Sequence, residues 1–121
     1  MKLKQFEEIR VNERLLNQQM EDTIYEERKL RSFQEEAEDF SYQTNQIFDS
    51  MLGQFKGNQF TWYLEEQQET MRYRYNLIQD ALEEELQLHK EQQQAIEDKQ
   101  SDLAFDRLRL QTQENDLEVQ Q

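Results

Sequence analysis

A chain of 121 residues with a net charge of −13 and no cysteine has the length of one domain and no route to disulfide or thiol chemistry. So strong an acid excess repels nucleic acid and anionic membrane surfaces, which removes both from the expected partners. At 35% hydrophobic and 34% charged residues there is too little apolar material for a thick core, yet enough for narrow seams between long helices.

The first element is predicted to be a helix over residues 3–52. Lys2 and Lys4 begin the chain as a signal peptide might, but Glu7 and Glu8 stand where its apolar stretch belongs, so no cleaved signal is expected. Apolar residues then fall at Phe6, Ile9, Leu16, Met20, Ile24 and Leu30. From Leu30 the steps of three and four run through Phe33, Ala37, Phe40, Ile47 and Met51, a heptad seam interrupted at Thr44. The two glycines of the chain, Gly53 and Gly57, lie together, and the sequence contains no proline. Residues 53–59 are therefore the predicted turn, with Gly53 as a left-handed helix stop and Asn58 or Thr61 as the next N-cap. Glu65 and Glu66 are expected in the first turn of the second helix, predicted over 60–115.

That second helix carries the more regular signal. Tyr75, Leu82, His89, Ile96, Leu103, Leu110 and Leu117 sit seven apart without a gap, beside a shorter row of Leu64, Met71 and Ile78. Folding the chain back near residue 55 makes facing residue numbers sum to about 111 or 112. Phe48 then meets Leu64, Phe40 meets Met71, Phe33 meets Ile78, Leu30 meets Leu82, Leu16 meets Ile96 and Ile9 meets Leu103. The expected fold class is all-α, a single antiparallel two-helix hairpin of coiled-coil type. Two helices bury one stripe each, so further helices from a partner are expected to complete the packing. Little of the first helix remains opposite Leu110, and nothing opposite Leu117. Phe105, Leu108, Leu110 and Leu117 are accordingly candidate partner-binding residues. Phe55, Phe60, Trp62 and Tyr63 crowd the turn and are either a plug closing the hairpin or an exposed anchor for a partner.

Catalysis is not expected. One histidine, no cysteine and no glycine-rich phosphate cradle offer no nucleophile, metal set or cofactor site. Glu85 and His89 lie one turn apart, but a di-iron bundle needs the Glu-x-x-His pattern twice. His89 is read instead as a polar seam residue that sets register opposite Thr23 or Ile24. No apolar run exceeds three residues, so no membrane insertion is expected.

Phe48 before the glycine turn, Phe60 and Tyr63 after it, the glutamine-rich acidic second helix and the closing pattern Asp102-Leu103…Arg107…Leu110 resemble the small LXG-associated α-helical families. The hairpin as a whole is similar to the WXG superfamily of type VII secretion in Gram-positive bacteria, although Gly53…Gly57…Trp62-Tyr63-Leu64 lacks a strict Trp-x-Gly. That resemblance implies a targeting chaperone that binds the helical LXG domain of a secreted toxin, together with a second small helical protein. The Tyr-x-x-x-Asp/Glu export pattern of that system is absent: the tyrosines are followed at the fourth place by Lys29, Gln46, Gln67, Leu77 and Gln79. Only Trp62 with Glu66 has the spacing. An accessory role, cytoplasmic or co-secreted with the partner, is the expectation. The competing reading is a structural coiled coil, either a homodimeric scaffold or a hairpin lodged on a secretion ATPase.

Overall fold

The computed structural model describes residues 2–120, with side chains placed for residues 2–117. Two helices, α1 (Lys2–Gln54) and α2 (Gln59–Gln120), form an antiparallel hairpin. Both are longer than the predicted spans, because no breaker stops α1 before Gly57 or α2 near residue 115.

The turn departs from the prediction at one point. Gly53 stays inside α1, and the Phe55 N–H still donates to the Met51 carbonyl at 3.0 Å. The left-handed residue is Gly57, with φ 79°. It lies in a short reversal closed by Asn58 N–H to the Phe55 carbonyl (3.3 Å) and Thr61 N–H to the Asn58 carbonyl (3.0 Å). A residue with a Cβ is strained at such a φ, so glycine is needed there and not at Gly53. Asn58 is the N-cap of α2: its Oδ1 accepts the Phe60 N–H at 3.2 Å. The Thr61 hydroxyl turns back and donates to the Phe55 carbonyl. Because α2 begins at Gln59, Glu65 and Glu66 fall beyond its first turn, which contains no acidic residue.

The chain divides into two compact units. The turn-proximal unit spans Glu27–Gln87. In it α1 turns Leu30, Gln34, Ala37, Ser41, Thr44, Phe48 and Met51 inward, an unbroken three-and-four stripe. The phase corrects the predicted one, since Phe33, Phe40 and Ile47 are 52%, 62% and 61% exposed. The physical reason is continuity. Phe48 and Met51 are both half-buried beside the turn, and a stripe carried back from them in heptad steps passes through Ser41 and Gln34. The apolar residues one place earlier are left on the flank.

On α2 the inward stripe of this unit is Leu64, Gln68, Met71, Tyr75, Gln79, Leu82 and Leu86, with Thr61, Gln67 and Thr70 half-buried beside it. Leu64, at 2% exposure, is the most deeply placed. Gln68 is buried and donates to the Asp49 carboxylate at 3.1 Å. The steps Met71–Tyr75 and Tyr75–Gln79 are both four residues, a stutter that relieves the drift between 3.5 and 3.6 residues per turn. It moves the companion row off Ile78, which is exposed, and onto Gln79 and Leu86. The predicted facings of Phe33 with Ile78 and Phe40 with Met71 are therefore not seam pairs.

In the terminal unit, Met1–Glu26 with Leu88–Gln121, the heptad seam runs as predicted. Phe6, Ile9, Leu16 and Met20 on α1 lie inward, with Ile96, Leu103 and Leu110 on α2. Thr23 is buried, and its hydroxyl lies 2.9 Å from His89 Nδ1, the facing expected from the 112 register. Thr23 also approaches Gln92 Oε1 at 3.5 Å.

Candidate helix-docking surfaces

Each unit has one edge that differs sharply from the other. Taking Gln34, Ser41 and Phe48 as the a row of α1 and Leu30, Ala37 and Thr44 as the d row, Phe33, Phe40 and Ile47 are g positions, just outside d. In an antiparallel pair the g positions of both helices lie along the same edge, and the e positions along the opposite one. On α2 that edge receives Phe60, Gln67 and Arg74 at g, with Tyr63 and Leu77 beside them. The stutter turns Ile78 outward to the same side. The resulting strip, Phe33, Phe40 and Ile47 with Phe60, Tyr63, Leu77 and Ile78, is exposed throughout the turn-proximal unit. The e edge carries Arg31, Glu38, Asn45, Glu65 and Arg72 with Leu52, and Tyr42 and Trp62 lie exposed beside it. Fully burying one side chain of the strip contributes about 1.5–3 kcal/mol, so an exposed apolar row of this length is a strong bias toward contact.

The residues expected at the turn divide. Phe55 and Phe60 meet edge to face, with centroids 5.2 Å apart, and Phe60 stacks on Tyr63 at 5.6 Å and 23°. These three close on one another while remaining partly exposed. Trp62 stands apart from them and is 69% exposed.

The terminal unit is bridged on one edge and open on the other. Gln100 donates to Asn17 at 2.9 Å and Arg107 to Glu13 at 3.1 Å, tying α2 to the a and e positions of α1. The edge at the g positions holds three depressions of about 440, 360 and 300 Å³. Gln19 and Lys99 line both the first and the second, and Asn12 and Leu103 both the second and the third, so the three are one groove. Its floor is apolar seam, with Ile9, Leu16, Ile96, Leu103 and Leu110. Glu8, Asp22, Glu26, Asp102 and Asp106 stand along it, against Lys99 and Arg109. Leu110 is thus half-buried beside Ile9 and Leu103, where the register argument placed it beyond most of α1. Phe105, Leu108 and Leu117 are all exposed.

The strip of Phe33, Phe40 and Ile47 was missed in the sequence because its residues also complete a three-and-four pattern with Leu30 and Ala37. The signal that separates them is the phase of Phe48 at the turn. The His89 side chain lies against Thr23, and among the described residues no three His, Cys, Asp or Glu side chains gather as a metal ion would require. No described helix is long and apolar enough to cross a membrane. Comparison with protein-family models, curated proteins and solved structures finds no match to this chain.

Proposed function

We propose that the chain is a non-catalytic accessory protein that docks its hairpin onto a partner's helices, in the manner of a targeting chaperone for the helical LXG domain of a type VII secreted toxin. The observation that carries the helix-binding part is the exposed Phe33–Phe40–Ile47 row. Its seven-residue spacing is that of a heptad seam already built on one side and lacking its opposite helix. The narrow internal seam supports the same reading: four apolar side chains, Leu16, Leu64, Leu82 and Leu86, are buried among the described residues. Packing against further helices would supply what two stripes do not. The LXG assignment is supported by the resemblance of Phe48, Phe60, Tyr63 and the Asp102–Leu110 pattern, and by the lack of an export motif of its own.

The test is co-expression of the full chain with the LXG domain of a toxin encoded beside it, followed by affinity capture of that domain. The wild-type chain should be retained at equal stoichiometry. Replacing Phe33 and Phe40 together by Ser should lower retention by about tenfold or more, while circular dichroism shows the hairpin still helical. Retention that is unchanged by the double substitution removes the role of this face. A chain that is not retained at all, and sediments alone at twice its mass through Phe33 and Phe40, instead marks a homodimeric scaffold.

A further inference from the structure

From the terminal-unit groove we infer a second docking site whose occupant is an amphipathic helix with basic flanks. This deepens the helix-binding reading above and rests on it for the kind of partner, but it stands on a different surface and on charge. The groove runs from Glu26 and His89 at one end to Gln5 and Leu110 at the other. Twenty-odd residues of α1 at 1.5 Å each make that roughly 30 Å, about six helical turns. Its floor repeats at heptad intervals, Ile9 and Leu16 on one wall and Ile96, Leu103 and Leu110 on the other. That repeat fits the side chains of a helix lying along it, at every third and fourth position.

The rims decide what flanks that helix carries. Asp106 is paired with Arg109 at 3.4 Å and Lys4 lines the rim beside Glu8, which leaves Asp22 and Asp102 set against Lys99. Asp22 also accepts a hydrogen bond from the Gln18 amide, which holds its side chain but leaves its charge uncompensated. A helix with Lys or Arg beside its apolar stripe satisfies these carboxylates. One with Glu there meets like charge at each. A second copy of this chain, itself at −13, is disfavoured by the same argument.

The probe is a labelled synthetic peptide of about 21 residues, enough to span the groove, with Leu and Ile at a and d and Lys at e and g. A Glu-flanked version and a scrambled peptide of identical composition are the controls. Fluorescence anisotropy with the full-length protein at low salt should show the Lys peptide binding at least about tenfold more tightly than either control, with the preference shrinking as salt rises. Charge reversal by Asp22→Lys together with Asp102→Lys, both exposed positions, should invert the order so that the Glu peptide binds more tightly. The Phe33→Ser, Phe40→Ser protein should bind the Lys peptide as the wild type does. Equal binding of the scrambled peptide, an order untouched by the charge reversal, or loss of binding in the Phe33→Ser, Phe40→Ser protein would each overturn the site. Because the peptide assay contains no LXG domain, failure of the targeting reading leaves it intact, and failure here leaves capture of the LXG domain to be judged separately.

Discussion

Gln79 and His89 show how much a single polar side chain does in a seam this narrow. The stutter brings Gln79 inward, and its amide nitrogen is buried with no hydrogen-bond partner. An unsatisfied buried group of this kind costs about 1–3 kcal/mol. Gln79→Leu is therefore expected to stabilise the hairpin by about 1–2 kcal/mol, read as a higher urea midpoint at unchanged slope. A lower midpoint would mean the amide is satisfied in solution. His89 is different, since it is paired with Thr23. Removing one partner strands the other, whereas replacing both by apolar groups is close to neutral or favourable. His89→Leu alone leaves the Thr23 hydroxyl only the weak contact with Gln92 Oε1 at 3.5 Å. That costs about 1–3 kcal/mol, which the added apolar burial of leucine offsets, so stability should change by less than about 1 kcal/mol. Thr23→Val with His89→Leu should exceed wild type. Neither should abolish capture of the LXG domain. The His89–Thr23 facing was legible from the sequence because both lie on strict heptad rows. The burial of Gln79 was not, because an apolar Ile78 in the next position argued for the opposite phase.

The helices and the turn connecting them were legible because proline is absent and both glycines fall together. Which glycine bends the chain was not, since composition alone does not reveal φ. Two substitutions separate their roles. Gly53 lies within α1, and nothing stands within 4 Å of the place a Cβ would take, so Gly53→Ala should stabilise by about 0.5–1 kcal/mol. Gly57 also has open space around it, but its φ of 79° imposes strain on any L side chain. Gly57→Ala should destabilise by about 1–2 kcal/mol. Thermal melts of the two variants should move in opposite directions, and a shared direction would misplace the bend. The inward face of α1 was the least legible feature. Phe33, Phe40 and Ile47 are more hydrophobic than Gln34 and Ser41, and composition therefore favours the wrong row. Only the stripe fixed by Phe48 and Met51 decides it, because a helix cannot change face between neighbouring turns without a stutter.

As a molecule the hairpin has more apolar surface than its own seam consumes. Removing residues 104–121 deletes the exposed Phe105, Leu108 and Leu117 together with Leu110 and the Arg107–Glu13 bridge. The turn-proximal unit contains none of these residues. The truncated chain should keep the circular dichroism of a helical protein per residue while losing most of its capture by the LXG domain. Capture equal to the full chain would confine binding to the turn-proximal strip.

The short turn around Gly57 also fixes the order in which the chain can fold. The Thr23–His89 contact joins residues 66 apart, and the Arg107–Glu13 bridge joins residues 94 apart. Closing either one first from an open chain orders a long loop for one small contact, whereas each layer added outward from the turn closes only a few residues. Folding should therefore begin at the turn, where Thr61 bonds back to Asn58, and advance toward the ends. Stabilising changes near that start should speed folding, and those at the far ends should mainly slow unfolding. In stopped-flow refolding, Gly57→Ala should slow the folding arm with little effect on unfolding, while Thr23→Ala should quicken unfolding with little effect on folding. The reverse pattern would place the first contacts at the termini.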